Sequence, residues 1–232
     1  MKLPDFYNLY KKRGIGALYE LWAPSNTPHS SLYTISISQN VWQRGYTMNQ
    51  SQPGLVLINT GTGKGKTTAA LGTAIRAWGD GQKVLILQFI KGAWKYGELK
   101  AIETLGKAEG RIEIRPMGDG FVFHNKDKES DEEFQRKAAL AKEAWDMVKK
   151  EVMSDAWDLI VLDEINYAIH FDMLDVKDVV SLIQEKPSRL NMILTGRYAR
   201  QELIDLADTV TEMTLVKHAF QKGIRARKGI EF

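Results

Sequence analysis

Cysteine is absent from all 232 residues, so disulfides, thiolate metal sites and cysteine nucleophiles are excluded. That absence suits a reducing, cytoplasmic setting. No apolar run approaches the roughly 20 residues that a membrane helix requires, and the N-terminus lacks the short apolar core of a secretory signal. An excess of one charge is also missing from most of the chain. The net charge of +3 is carried by residues 1–47, where Lys2, Lys11, Lys12, Arg13 and Arg44 stand against Asp5 and Glu20. The remaining residues hold 27 basic and 27 acidic side chains, 32 − 5 and 29 − 2, so no large nucleic-acid footprint is expected. The four histidines, His29, His124, His170 and His218, have no metal-ligand spacing. Each reads as a surface or hydrogen-bonded residue.

What is present describes an ordinary globular protein, 44% apolar and 26% charged, with enough chain for a sizeable core. Residues 1–54 are rich in Ser, Asn, Thr and Tyr and show no sustained period, apart from a weak amphipathic pattern at Phe6, Leu9, Tyr10, Leu18 and Trp22. Residues 1–47 therefore read as a mobile N-terminal extension or an overlong start, and residues 48–232 as the functional domain. From residue 55 short apolar runs predict six strands, at 55–59, 83–89, 111–115, 158–163, 191–195 and 209–216. Helical patterns separate them. One opens directly from a glycine loop and runs to about Trp78. A long one begins at the capping box Ser130-x-x-Glu133, with Phe134, Ala138, Ala141, Trp145, Val148 and Val152 on a single stripe. Another starts near Asp175 and ends before Pro187. Strands alternating with helices predict an α/β three-layer fold of the P-loop NTPase, RecA-like kind, with a mostly parallel sheet of about six strands. Ligands of such sheets bind beyond the carboxyl ends of the strands.

The glycine loop reads "NTGTGKGKTTAALG" from Asn59 to Gly72. It follows an apolar strand and opens a helix, which is the context of a phosphate-binding loop. The usual pattern puts glycine where this chain has Thr60, and extra glycines stand at Gly61 and Gly63. Closely spaced glycines let backbone N–H groups face phosphate oxygens beside the positive end of a helix. Lys66 would neutralise the phosphates, Lys64 adds a second charge, and Thr67 offers a hydroxyl to Mg²⁺. About 95 residues later, "LIVLDE" delivers Asp163 and Glu164 at a strand end, the usual metal-side partner of such a loop. Gln88, Lys91, Thr195 and Arg197 end other strands toward the same edge; Lys91 and Arg197 either join the site or merely close their strands against solvent. Phe121 and Phe123 alternate in the Gly-rich "MGDGFVFHN", where they either anchor the loop to the core or form a wall for a large flat ligand.

These segments, together with "LTGR", "LADTVTEM" and "VKHAFQKGIRARKGIEF", resemble in order the P-loop-type corrinoid adenosyltransferases of the bacterial cobalamin pathway. The resemblance covers about residue 54 to the end and includes the threonine at position 60. It implies transfer of the 5′-deoxyadenosyl group of ATP to the Co(I) centre of a corrinoid, with triphosphate expelled, rather than hydrolysis. A RecA-like ATPase hydrolysing ATP is the alternative. The resemblance maps the triphosphate cradle onto Gly61, Thr62, Gly63, Lys64, Gly65, Lys66 and Thr67, and Thr68 and Arg197 are expected as further ATP contacts. It implies Mg²⁺ or Mn²⁺ at Thr67, Asp163 and Glu164, with Glu164 as the direct ligand. Catalytic roles are expected of Lys66, Phe121 and Phe123, and the resemblance implies that the two aromatics help remove the lower axial ligand of cobalt. Phe123 departs from the tryptophan often found there. The family also implies a homodimer and a reduced flavoprotein as electron donor; the balanced charge and the lack of a membrane-length apolar run lead us to expect neither nucleic acid nor membrane as partner.

Overall fold

The computed structural model describes residues 53–89, 97–117 and 131–231, all within the unit Asn49–Phe232. Strand β1 (Val56–Thr60) leads through the glycine loop into α1 (Lys66–Gly79), followed by β2 (Val84–Gln88), α2 (Gly97–Glu109) and β3 (Ile112–Pro116). Then come α3 (Asp131–Met153), β4 (Leu159–Asp163), α4 (Ile165–His170), α5 (Val176–Glu185), β5 (Asn191–Thr195), α6 (Gln201–Leu206) and β6 (Thr209–Glu212). The six strands form one sheet in the order β3-β2-β4-β5-β1-β6, and every neighbouring pair is parallel. Strand β5 thus lies between the strand that feeds the glycine loop and the strand that ends in Asp163.

Parallel strands covered on both faces read as continuous apolar runs. The two-residue period then divides each strand between two cores. Ile58, Leu85, Leu87, Ile160, Leu162, Met192 and Leu194 face one core, which Ala144, Trp145, Val148 and Val152 of α3 complete together with Val179, Leu182 and Ile183 of α5. Val84, Ile86, Val161 and Ile193 face the other, filled by Ala70, Leu71 and Ala74 of α1 and Ile102 of α2. Burying each such aliphatic side chain contributes roughly 1.5–3 kcal/mol, so these two layers hold the sheet rigid beneath its upper edge.

The stripe expected on α3 is buried at Ala141, Trp145, Val148 and Val152 and half-buried at Ala138; its Ser130 cap and the Phe134 side chain lie outside the described residues. Helix α5 begins where Asp175 accepts a hydrogen bond from the Lys177 backbone N–H, and it stops before Pro187. The last strand is shorter than the 209–216 expected. It pairs with β1 only over Thr209–Glu212 and is exposed along its length. Beyond it the chain turns over the glycine loop: Met213 N–H donates to Thr60 O at 2.8 Å, and Met213 O accepts from Gly63 N–H at 2.5 Å.

The register brings the polar strand ends together. Gln88 is level with Asp163, and Asn59 with Thr195. Asn59, Gln88, Asp163 and Thr195 therefore stand along one edge of the sheet.

Candidate functional site

Two positions in the loop require glycine for different reasons. Gly61 adopts φ +95°, and a Cβ there would lie 2.5 Å from Met213 O. A Cβ at Gly63 would lie 2.7 Å from the same oxygen. The loop is therefore moulded against the backbone that follows β6, and a side chain at either position would force the two apart. Lys66 is only 8% exposed, and its Nζ donates to Gly61 O at 2.9 Å and Gly63 O at 2.6 Å. Lys64 is exposed and pairs with Glu231 near the C-terminus. Thr62 and Thr68 are exposed, whereas Thr67 is half-buried in the first turn of α1.

Thr60, where the usual pattern has glycine, has a definite task. It is buried, and its Oγ1 accepts a hydrogen bond from Ala199 N–H at 3.3 Å, tying the loop after β5 to the end of β1. Replacing Thr60 with Gly restores the common pattern but deletes that acceptor and loosens a strand end. The expected cost is about 1–2 kcal/mol, with Thr60→Ser retaining most of the stability. Urea midpoints check this; a Gly variant as stable as the parent would refute the assigned role.

Asp163 is fully buried at the end of β4. Its Oδ2 accepts from Gln88 Nε2 at 3.0 Å and its Oδ1 from Thr195 Oγ1 at 2.7 Å. Thr195 Oγ1 also accepts from Glu164 N–H at 2.9 Å. Glu164 sits at φ 64°, a left-handed conformation uncommon for a residue with a side chain, and caps α4. Strain of this kind gathers where a side chain must be aimed. Gly196, at φ +125°, faces it: a Cβ there would meet Asn166 Cβ at 3.0 Å and Glu164 Oε2 at 3.2 Å. Asn166 is buried, its Nδ2 donates to Gly196 O at 3.2 Å, and its Oδ1 has no hydrogen-bond partner among the described residues.

Electrostatics draws these groups into one site. Burial pushes the Lys66 ammonium below its ordinary value; Glu164 and Asp163 pull it back, while Arg197 adds to the depression. Two cations and two carboxylates therefore act on a shared region above the sheet edge. Burial likewise raises the Tyr167 phenol, with Arg197 opposing the shift and Glu164 and Tyr198 reinforcing it. Beside them, Tyr167, His170 and Phe171 of the α4 region gather with Tyr198 into an aromatic cluster.

Of the residues expected from sequence, Lys66, Asp163, Glu164 and Arg197 are thus brought within electrostatic reach of one another, and the glycine loop adjoins them. Gln88 and Thr195 serve Asp163 as hydrogen-bond donors. Lys91, Phe121 and Phe123 lie outside the described residues. Asn166, Tyr167 and Tyr198 were not singled out by sequence, since a buried Asn and two Tyr beside short helices carry no period of their own. Among the described residues no three His, Cys, Asp or Glu side chains form a metal cage. The donors present are hard oxygens, the Thr67 hydroxyl and the carboxylates of Asp163 and Glu164. Mg²⁺ is ordinarily held by one or two carboxylates and the substrate's phosphates, so this donor set fits it.

Comparison with known proteins agrees with this geometry. The family model of ATP:corrinoid adenosyltransferases BtuR/CobO/CobP matches residues 52–232. A corrinoid adenosyltransferase of Escherichia coli is 39% identical over 183 residues, spanning 79% of this chain and 88% of that protein. Corrinoid adenosyltransferase CobA of Salmonella typhimurium is 38% identical over the same shares of the two chains. A corrinoid adenosyltransferase of Pseudomonas aeruginosa is 39% identical over 79% of this chain and 86% of that one.

Proposed function

Because this chain belongs to the ATP:corrinoid adenosyltransferase family, we propose that the site above the sheet edge moves the 5′-deoxyadenosyl group of ATP onto a corrinoid. The corrinoid, reduced to Co(I), is the nucleophile. Its electron pair forms the cobalt–carbon bond at C5′, the C5′–O bond breaks, and triphosphate departs with that bond's electrons. Cobalt ends formally as Co(III).

Co(I) needs no base to activate it, so the protein's work is positioning the reactants and neutralising the leaving triphosphate. The observation that best supports this division of labour is the convergence of Lys66 and Arg197 with Asp163 and Glu164 at the mouth of the glycine loop. Gly61, Thr62, Gly63, Lys64, Gly65, Lys66, Thr67, Thr68 and Arg197 bind the triphosphate. Thr67, Glu164 and, through its neighbours, Asp163 hold Mg²⁺, which supplies further charge neutralisation when bound. Gln88 and Thr195 fix the Asp163 carboxylate, and Thr195 also fixes the Glu164 backbone. Phe121 and Phe123 wall the corrin and displace its lower axial ligand. A reduced flavoprotein supplies the electrons, and the enzyme works as a cytoplasmic homodimer.

The test pairs two readouts. Protein, ATP, Mg²⁺ and chemically reduced cobalamin are mixed, and the corrinoid spectrum and phosphate product are followed together. Adenosylcobalamin and triphosphate should appear in equal amounts. Orthophosphate without adenosylcorrinoid would replace this reading with ATP hydrolysis.

A further inference from the structure

Tyr198 occupies a conformation that tyrosine rarely takes, φ 61°, at the crown of the loop joining β5 to α6. Left-handed backbone at a bulky residue costs energy and persists only where the surroundings hold it. What holds it is visible. Its ring stacks on His170 at 4.2 Å between centroids with 26° between planes, and meets Tyr167 edge-on at 6.0 Å. Tyr167 in turn stacks on Phe171 at 5.7 Å. These rings lie on or just past α4, the short helix that begins immediately after Glu164.

The rest of the loop is tied down at other points. Gly196 N–H donates to Asn59 O at 3.2 Å, Gly196 O accepts from Asn166, and Ala199 N–H donates to Thr60. Arg197 lies between these anchors, its own side chain exposed, yet its charge is felt at both Lys66 and Tyr167. An exposed guanidinium on a loop has many rotamers to lose on binding. Its backbone direction is fixed on one side by Gly196 and on the other by the seated Tyr198 ring.

We infer that Tyr198 is a positioning residue for Arg197: by stacking on His170 and packing edge-on against Tyr167 it locks the β5–α6 loop to the helix that follows Glu164, so that Arg197 is aimed at the triphosphate before ATP arrives. The strain at Tyr198 is the counterpart of that preorganisation. This inference rests on the reading that Arg197 contacts the triphosphate, and the experiment separates the two.

Steady-state kinetics with reduced cobalamin are compared for Tyr198→Gly, Tyr198→Phe, His170→Ala and Arg197→Ala. Glycine accepts φ 61° without strain, so Tyr198→Gly should melt no lower than a few degrees below the parent. Its KM for ATP should nonetheless rise about tenfold with kcat changed by less than about twofold, the mark of lost binding rather than lost chemistry. Tyr198→Phe keeps the stack and should restore the parental KM. His170→Ala removes the other half of the stack and should raise KM in the same direction, and combining it with Tyr198→Gly should add little. This variant also serves if Tyr198→Gly does not fold. Arg197→Ala should raise KM at least as far. A parental KM in Arg197→Ala overturns the reading of Arg197 itself. An impaired Arg197→Ala beside parental KM values in Tyr198→Gly and His170→Ala overturns the positioning role alone.

Discussion

Replacing Lys66 with Ala is expected to abolish adenosyl transfer while leaving the fold at least as stable. The ammonium is the most deeply placed cation at the loop mouth, fixed by the Gly61 and Gly63 carbonyls. Losing a preorganised charge aimed at a leaving group costs on the order of 10²–10³ in rate, about 3–4 kcal/mol. Under the proposed function the same charge also binds ATP, so kcat/KM should fall further than kcat. Stability responds in the opposite sense. Burial depresses the Lys66 pKa below 10.5, so between the folded value and 10.5 the unfolded chain binds more protons than the native one. Native stability must therefore rise with pH across that window. Below the folded value the full penalty of burying the charge is present, and Lys66→Ala removes it, together with the pH-dependent rise. Urea denaturation at neutral and alkaline pH, beside single-turnover assays, reads both effects. Parental turnover would refute the role of the loop; a strongly destabilised variant would refute the account of the buried charge.

Gly61→Ala should be the most damaging small substitution in the loop. At φ +95° a Cβ is strained whatever the space around it, and the space is taken by the Met213 carbonyl 2.5 Å away. Backbone strain of about 1–3 kcal/mol and a clash of comparable size sum to about 2–6 kcal/mol. Relief is available by only one route, displacement of the Met213 segment from the loop. Hydrogen exchange at the Gly63 and Met213 amides should then accelerate well beyond that of the central strands, and ATP binding should be lost. Unchanged protection at those two amides would show that the loop yields in some other way.

The difference between what sequence did and did not reveal follows burial. Strands β1, β2, β4 and β5 are covered on both faces, so each prints an unbroken apolar run whose limits match the observed ones to within a residue or two. Strand β6 is an exposed edge. There "TVTEMTLV" suggested eight residues of strand, because nothing in an edge sequence marks where pairing with β1 gives way to the turn over the loop. Helices α4 and α6 have six residues each, too short to establish a period. The aromatic cluster built on the first was invisible for the same reason. Lys66, Asp163 and Glu164 were legible because phosphate and metal chemistry constrains residue type and spacing. Thr60 and Tyr198 act through contacts to residues more than a hundred or about thirty positions away, which spacing along one chain does not encode.

The clasp between the glycine loop and the segment after β6 bears on how the protein is made. Gly63 and Met213 are separated by 213 − 63 = 150 positions, and both neighbours of β1 in the sheet, β5 and β6, come from the last third of the described chain. During synthesis at about 5–20 residues per second, the first core strand and its loop leave the ribosome roughly seven to thirty seconds before the backbone that shapes them. In that interval β1 has no sheet partner, and the loop has no template. A nascent or prematurely terminated chain ending before Met213 would carry the complete nucleotide signature yet lack the mould that gives it form. Competence to bind ATP is thereby deferred until the segment after β6 has been made.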